Sequence, residues 1–99
     1  MKTFSELKIG DKIFIWNHYK KTVDIGIVTE IIRTAEYVAL YYDSMFEEKN
    51  FLYTGHSIIL GLNQCIGACT YNIRSMYSYY FVSTYIEPVL NFIKENEDI

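Results

Sequence analysis

Leu7-Lys8-Ile9-Gly10-Asp11-Lys12-Ile13-Phe14-Ile15-Trp16 decides the fold class. Gly10 and Asp11 predict a tight turn. Glycine takes a positive φ without steric cost, and aspartate hydrogen-bonds its own nearby backbone. Ile13 to Trp16 then supply β-branched and aromatic side chains, which suit a pleated, buried surface. Alternation puts Ile13 and Ile15 on one face and Phe14 and Trp16 on the other. Both faces are apolar, so this strand is expected to be covered on both sides. Asn17-His18-Tyr19-Lys20-Lys21 breaks the run.

Further strands follow. Asp24 to Arg33 alternates Ile25, Ile27, Thr29 and Ile31 against Gly26, Val28, Glu30 and Ile32. Gly26 inside such a pattern predicts a bulge or a close backbone approach. Tyr37 to Tyr42 puts Val38, Leu40 and Tyr42 on one face and Tyr37, Ala39 and Tyr41 on the other. Phe51-Leu52-Tyr53 opens a fourth strand, which continues through Ser57-Ile58-Ile59-Leu60. Gly61 to Tyr77 reads as an ordered loop region with a short strand around Ile66 to Ile73, and Tyr79 to Val82 as the last strand.

The two ends of the chain carry helical signals. Thr3 and Glu6 have capping-box spacing, but the apolar run after them allows one turn at most, plugging a barrel end with Phe4 and Leu7. Thr84 with Glu87 has the same spacing ahead of Val89, Leu90 and Ile93. Pro88 falls in the first turn, where its missing N–H matters little. This predicts a helix to about Asn96, packing Ile86, Val89, Leu90 and Ile93 on the sheet. The expected architecture is one mainly β domain over residues 1–99. It is a small, partly open SH3-like barrel of about five strands (residues 7–83) with a C-terminal helix (84–96) over one end.

The opening also resembles KOW-type modules among the small SH3-like barrels. The matching residues are Phe4, Leu7, Gly10, Asp11, Ile13 and Ile15, then Gly26, Ile27 and Val28, within the first third to half of the chain. The resemblance implies a fold class. Many KOW-type modules bind RNA or ribosomal partners, but an analogy of fold transfers no site.

Composition narrows the function classes. At 51% apolar and 21% charged residues, the chain is globular rather than disordered. Its apolar runs are too short to cross a bilayer, and the N-terminus lacks the apolar core of a secretory signal. A cytoplasmic location with reduced cysteines is expected. The formal net charge of −3, with no basic run longer than Lys20-Lys21, argues against a duplex nucleic-acid surface.

Candidate chemistries are few. Cys65 and Cys69 with His18 and His56 could supply four zinc ligands and make a small zinc-dependent enzyme. Their spacing is far from known zinc patterns, and two buried thiols explain the cysteines as well, so no metal or cofactor is expected. Glu30, Glu36, Asp43, Glu47 and Glu48 fall on strand ends and loops and read as a solvated rim, not a catalytic carboxylate pair. His56 next to Ser57 is no catalytic pair, since strand neighbours point apart. Non-enzymatic binding is the expectation.

Tyrosine stands out: ten, against six Phe and one Trp. An AT-rich coding bias, or simple core filling, explains this as readily as function. Yet Phe51 to Ile86 carries a single formal charge, Arg74. Tyr71, Tyr77, Tyr79, Tyr80 and Tyr85 surround it in sequence, in the manner of interface cores rich in Tyr and Arg. These six residues are the expected partner-binding set. The partner is expected to be protein, most simply a second copy, in a compact adaptor such as a phage or mobile-element accessory. Single-stranded nucleic acid is the alternative, although one Arg makes no cationic groove.

Overall fold

The computed structural model describes residues 2–46, 56–61, 65, 69–74 and 79–96. After a one-turn 3-10 helix, Phe4–Glu6, come β1 (Lys12–Asn17), β2 (Thr22–Arg33), β3 (Tyr37–Ser44), β4 (His56–Gly61), β5 (Thr70–Arg74), β6 (Tyr79–Ser83) and α1 (Ile86–Glu95). The strands pair antiparallel in the order β4-β3-β2-β1-β6-β5. Thus the described residues hold six strands, where about five were expected. The strand expected to open at Phe51–Tyr53 lies outside the described residues.

The sheet curls into a nearly closed barrel, because all six strands send side chains into one core. Ile13, Ile15, Val28, Leu40, Leu60 and Val82 are each at most 3% exposed and share that core. Cys65 stitches the two edges: it bridges to Tyr71 on β5, and its thiol donates to the Gly61 carbonyl at the end of β4. Among the described residues, no helix is long and apolar enough to cross a membrane.

The opening turn forms as the sequence predicts. Gly10 has φ +94°, and the Asp11 carboxylate accepts from the Lys8 amide at 2.7 Å. Gly10 N–H donates to the Val28 carbonyl and Val28 N–H to the Asp11 carbonyl, which fixes the turn to β2. The Lys2 ammonium, 2.7 Å from Asp11, and then the Lys8 amide hold the Asp11 carboxyl below the usual carboxylate range. Phe4 and Leu7 plug this barrel end, both 2% exposed. Arg33 donates to the Leu7 carbonyl at 2.6 Å and holds the plug in place.

Three local expectations change. The bulge lies at Thr29, between Val28 and Glu30, and not at Gly26. One extra residue reverses the alternation after it. Ile31 therefore packs against the core, and Ile32 turns outward at 42% exposure. The Thr84–Glu87 capping box does not form: Tyr85 is the N-cap, with no side-chain cap. The Thr84 hydroxyl instead donates to the Lys2 carbonyl, and its amide to the Cys69 carbonyl, so the residue ties down neighbouring chain. Finally, α1 lies on the outer face of β1 and β6 rather than over a barrel end. Val89, Phe92 and Ile93 meet Trp16 and Phe81 there, with the Phe81 and Phe92 rings stacked at 4.4 Å. Ile86 and Leu90 face away.

Gly26 makes the close approach rather than the bulge. The Tyr42 ring lies directly over it. A Cβ there would clash with Tyr42 Cδ2, 2.9 Å from Cγ and 3.1 Å from Ile13 Cγ1. The ring is core and cannot swing clear, so Gly26→Ala is an overpacking change expected to cost about 1–3 kcal/mol. Urea unfolding should show a lower midpoint at unchanged slope, with Tyr42→Leu restoring part of the loss in the double variant. Unaltered stability of Gly26→Ala would contradict this packing.

Candidate binding surface

Tyr79 is the hub of an outer corner of the barrel. It pairs across β5–β6 with Arg74, whose guanidinium lies 5.4 Å from the centre of its ring. The β1–β2 turn delivers His18, ring centroid 4.6 Å from that of Tyr79, and Tyr19 edge-on at 6.4 Å. Phe92 of α1 closes the cluster from behind at 6.2 Å. Each aromatic contact contributes about 0.5–1.5 kcal/mol beyond area burial, and an exposed cation over a ring about 0.5–1 kcal/mol.

The turn is built for this placement. The Asn17 side-chain oxygen accepts from the Tyr19 and Lys20 amides, and His18 N–H donates to the Tyr79 carbonyl. Lys21 closes the turn at φ +56°, a left-handed conformation disfavoured for a side chain with a Cβ. Its ammonium comes within 3.4 Å of His18 Nε2. Cations and aromatics from two distant stretches thus share one corner, with Tyr19 57% exposed.

The six residues singled out in the sequence do not stay together. Arg74 and Tyr79 form the corner. Tyr71 is 5% exposed and belongs to the barrel interior. Strand alternation separates it from Arg74, three residues on. Tyr80 turns inward and packs against the core. Tyr85 is the half-buried N-cap of α1, and Tyr77 lies outside the described residues. His18 and Tyr19, absent from that set, complete the corner. Their signal was present in a turn of aromatic and basic residues, but it needed the β1–β6 pairing to give it a place.

The four side chains considered as zinc ligands are not gathered into one group. Among the described residues no three of His, Cys, Asp and Glu cluster at a metal-binding distance. His56 stacks on Tyr42 at 5.3 Å, while His18 lies tilted against Tyr79. Burial pushes the Cys65 thiol up, away from the thiolate that metal binding needs.

Two further surfaces matter. The outer face of β2, β3 and β4 carries the cross-strand row Ile32–Ala39–Ile59, flanked by Tyr37 and Tyr41. Ile59 is 64% exposed. Opposite the plugged end, described residues line a cavity of about 360 Å³. Asn17, Thr22, Asp24, Ser44, His56 and Tyr80 line it, with Ile15 among its apolar residues.

Searches against known protein families, curated proteins and solved structures return no match.

Proposed function

We propose that the protein is a small non-enzymatic binding module, and that its contact is self-association through the uncovered outer face of β2, β3 and β4. The observation that carries this is the row Ile32–Ala39–Ile59. The outer face of β1 and β6 is equally apolar, but α1 covers it. No described residue packs as a second layer over Ile32 and Ile59, which stay 42% and 64% exposed. Ile32, Ile59, Tyr37 and Tyr41 stand exposed around the 6% exposed Ala39; exposed apolar side chains grouped on one face mark an interaction site, and the tyrosines give it the composition of an interface core. A two-fold axis lets such a face meet itself, the commonest arrangement in oligomers. The Phe51 to Ile86 stretch contributes Ile59, while β2 and β3 supply the rest. The size and composition fit a cytoplasmic phage or mobile-element accessory.

A second function is favoured by one observation, the gathering of Arg74, His18, Tyr19 and Tyr79 beside Lys20 and Lys21. Cations beside aromatic rings suit single-stranded nucleic acid.

Sedimentation velocity separates the two surfaces. Wild type should be a dimer at micromolar concentration. Ile59→Glu should be a folded monomer, with association weakened at least about thirtyfold, roughly 2 kcal/mol. Arg74→Glu should remain a dimer. A monomeric wild type removes self-association, and a dimeric Ile59→Glu beside a monomeric Arg74→Glu moves the contact to the corner. For the second function, labelled single-stranded RNA and DNA are titrated at two salt concentrations. Salt-sensitive micromolar binding that Arg74→Glu abolishes is expected; no binding at low salt rejects it.

A further inference from the structure

We infer that the corner around Tyr79 grips the phosphate backbone of a single nucleic-acid strand and reads no base. This rests on the second function proposed above and names the part of the ligand that the corner holds. Arg74, Tyr79 and His18 form one cross-strand row: Arg74 pairs with Tyr79, and the His18 N–H donates to the Tyr79 carbonyl. The sheet order puts β6 between β5 and β1, so Arg74 and His18 flank Tyr79 from opposite sides. The guanidinium lies over the ring at 5.4 Å, and the imidazole lies at 4.6 Å, tilted by 32°. Tyr19 and Phe92 meet the same ring at 6.4 and 6.2 Å. A base that stacks needs an open aromatic face, and the faces of Tyr79 are taken. Its ring is a post that fixes the groups around it, not a platform for a ligand.

What the row leaves for a ligand is two cations, one at each end. Arg74 stands at one end, its plane set by Tyr79, and a guanidinium offers phosphate oxygens a fork of N–H donors. Lys21 stands at the other, its ammonium 3.4 Å from His18 Nε2. An ammonium has only donors, so that nitrogen accepts and the positive charge is not cancelled. Lys21 keeps this place at φ +56°, where glycine would sit without strain. Backbone strain of this kind gathers at functional sites. Both cations are exposed, and among the described residues neither forms an ion pair, unlike Lys2 with Asp11. Strands β5 and β1 lie two strand spacings apart, about 10 Å. One phosphate group cannot touch both charges, whereas successive phosphates of a flexible strand can. Lys20 is not part of the grip, because it lines the cavity beside Asp24.

Fluorescence anisotropy on the full chain compares labelled oligothymidylate, oligoadenylate and an abasic strand of the same length, with thymidine 5′-monophosphate and polyglutamate as competitors. The three strands should bind within about threefold of one another, and both competitors at least about tenfold more weakly. With two phosphates engaged, wild type should lose about sevenfold in affinity between about 50 and 200 mM salt. Arg74→Gln and Lys21→Gly should each bind more weakly than wild type and lose only about threefold over the same range. Lys21→Gly also relieves the left-handed backbone, so its urea midpoint should not fall. Weaker binding by a chain no less stable then isolates the charge from any structural role. Absence of binding by every strand at low salt rejects the second function and the grip with it. Binding by the strands with bases but not by the abasic strand leaves that function standing and overturns the grip alone. A monophosphate or polyglutamate that binds as tightly as the strands overturns the grip, as does unchanged affinity in Lys21→Gly.

Discussion

Everything in this fold hangs on β1 being covered on both faces. Ile13 and Ile15 point into the barrel core, at 0% and 3% exposure. Trp16 is buried beneath α1, and Phe14 packs beside it. The strand sits near the middle of the sheet, hydrogen-bonded to β2 on one side and β6 on the other. It is therefore shared, as β6 is through Val82 and Phe81, by two packing layers. Fully burying one such aliphatic side chain is worth about 1.5–3 kcal/mol. Loss of β1 would remove one stave of the barrel and the Trp16 part of the platform for α1 together.

Much of this was legible because period-two patterning is read directly from sequence. The both-sided burial of β1, the Gly10–Asp11 turn, the Phe4 and Leu7 plug and the close approach at Gly26 all follow from residue type. Alternation failed at Thr29, where one extra residue in β2 reversed every side chain after it. No composition signal marks that position, because the bulge reflects the curvature that closing the barrel demands. The result is that Ile32 reaches the surface. The helix was legible in position but not in rotation. Phe92 stacks on Phe81, which turns Ile86 and Leu90 away from the sheet. The Thr84 hydroxyl went to the Lys2 carbonyl because tertiary partners compete with a local cap.

The candidate sites were less legible, for a physical reason. Tyr71, Tyr79 and Tyr80 are close in sequence and similar in chemistry, yet strand alternation and pairing send one into the core, one to the outer corner and one to the barrel mouth. The partners of Tyr79, His18 and Tyr19, lie sixty residues earlier and arrive through the β1–β6 register. A barrel has two ends and an outer surface, and this chain treats them differently. One end is plugged with apolar side chains and the other is lined with polar ones. One outer face is roofed by a helix and another leaves Ile59 in solvent. These asymmetries give a small domain several unlike surfaces.

The role of β1 is tested most directly by native-state hydrogen exchange, followed amide by amide. Covered on both faces, the hydrogen-bonded amides of Ile13 to Trp16 should exchange only through global unfolding, while those of the edge strand β4 open through smaller fluctuations. Exchange of the β1 amides as fast as those of Ile58 to Leu60, with the rest of the sheet still protected, would contradict a β1 buried between the barrel core and the helix.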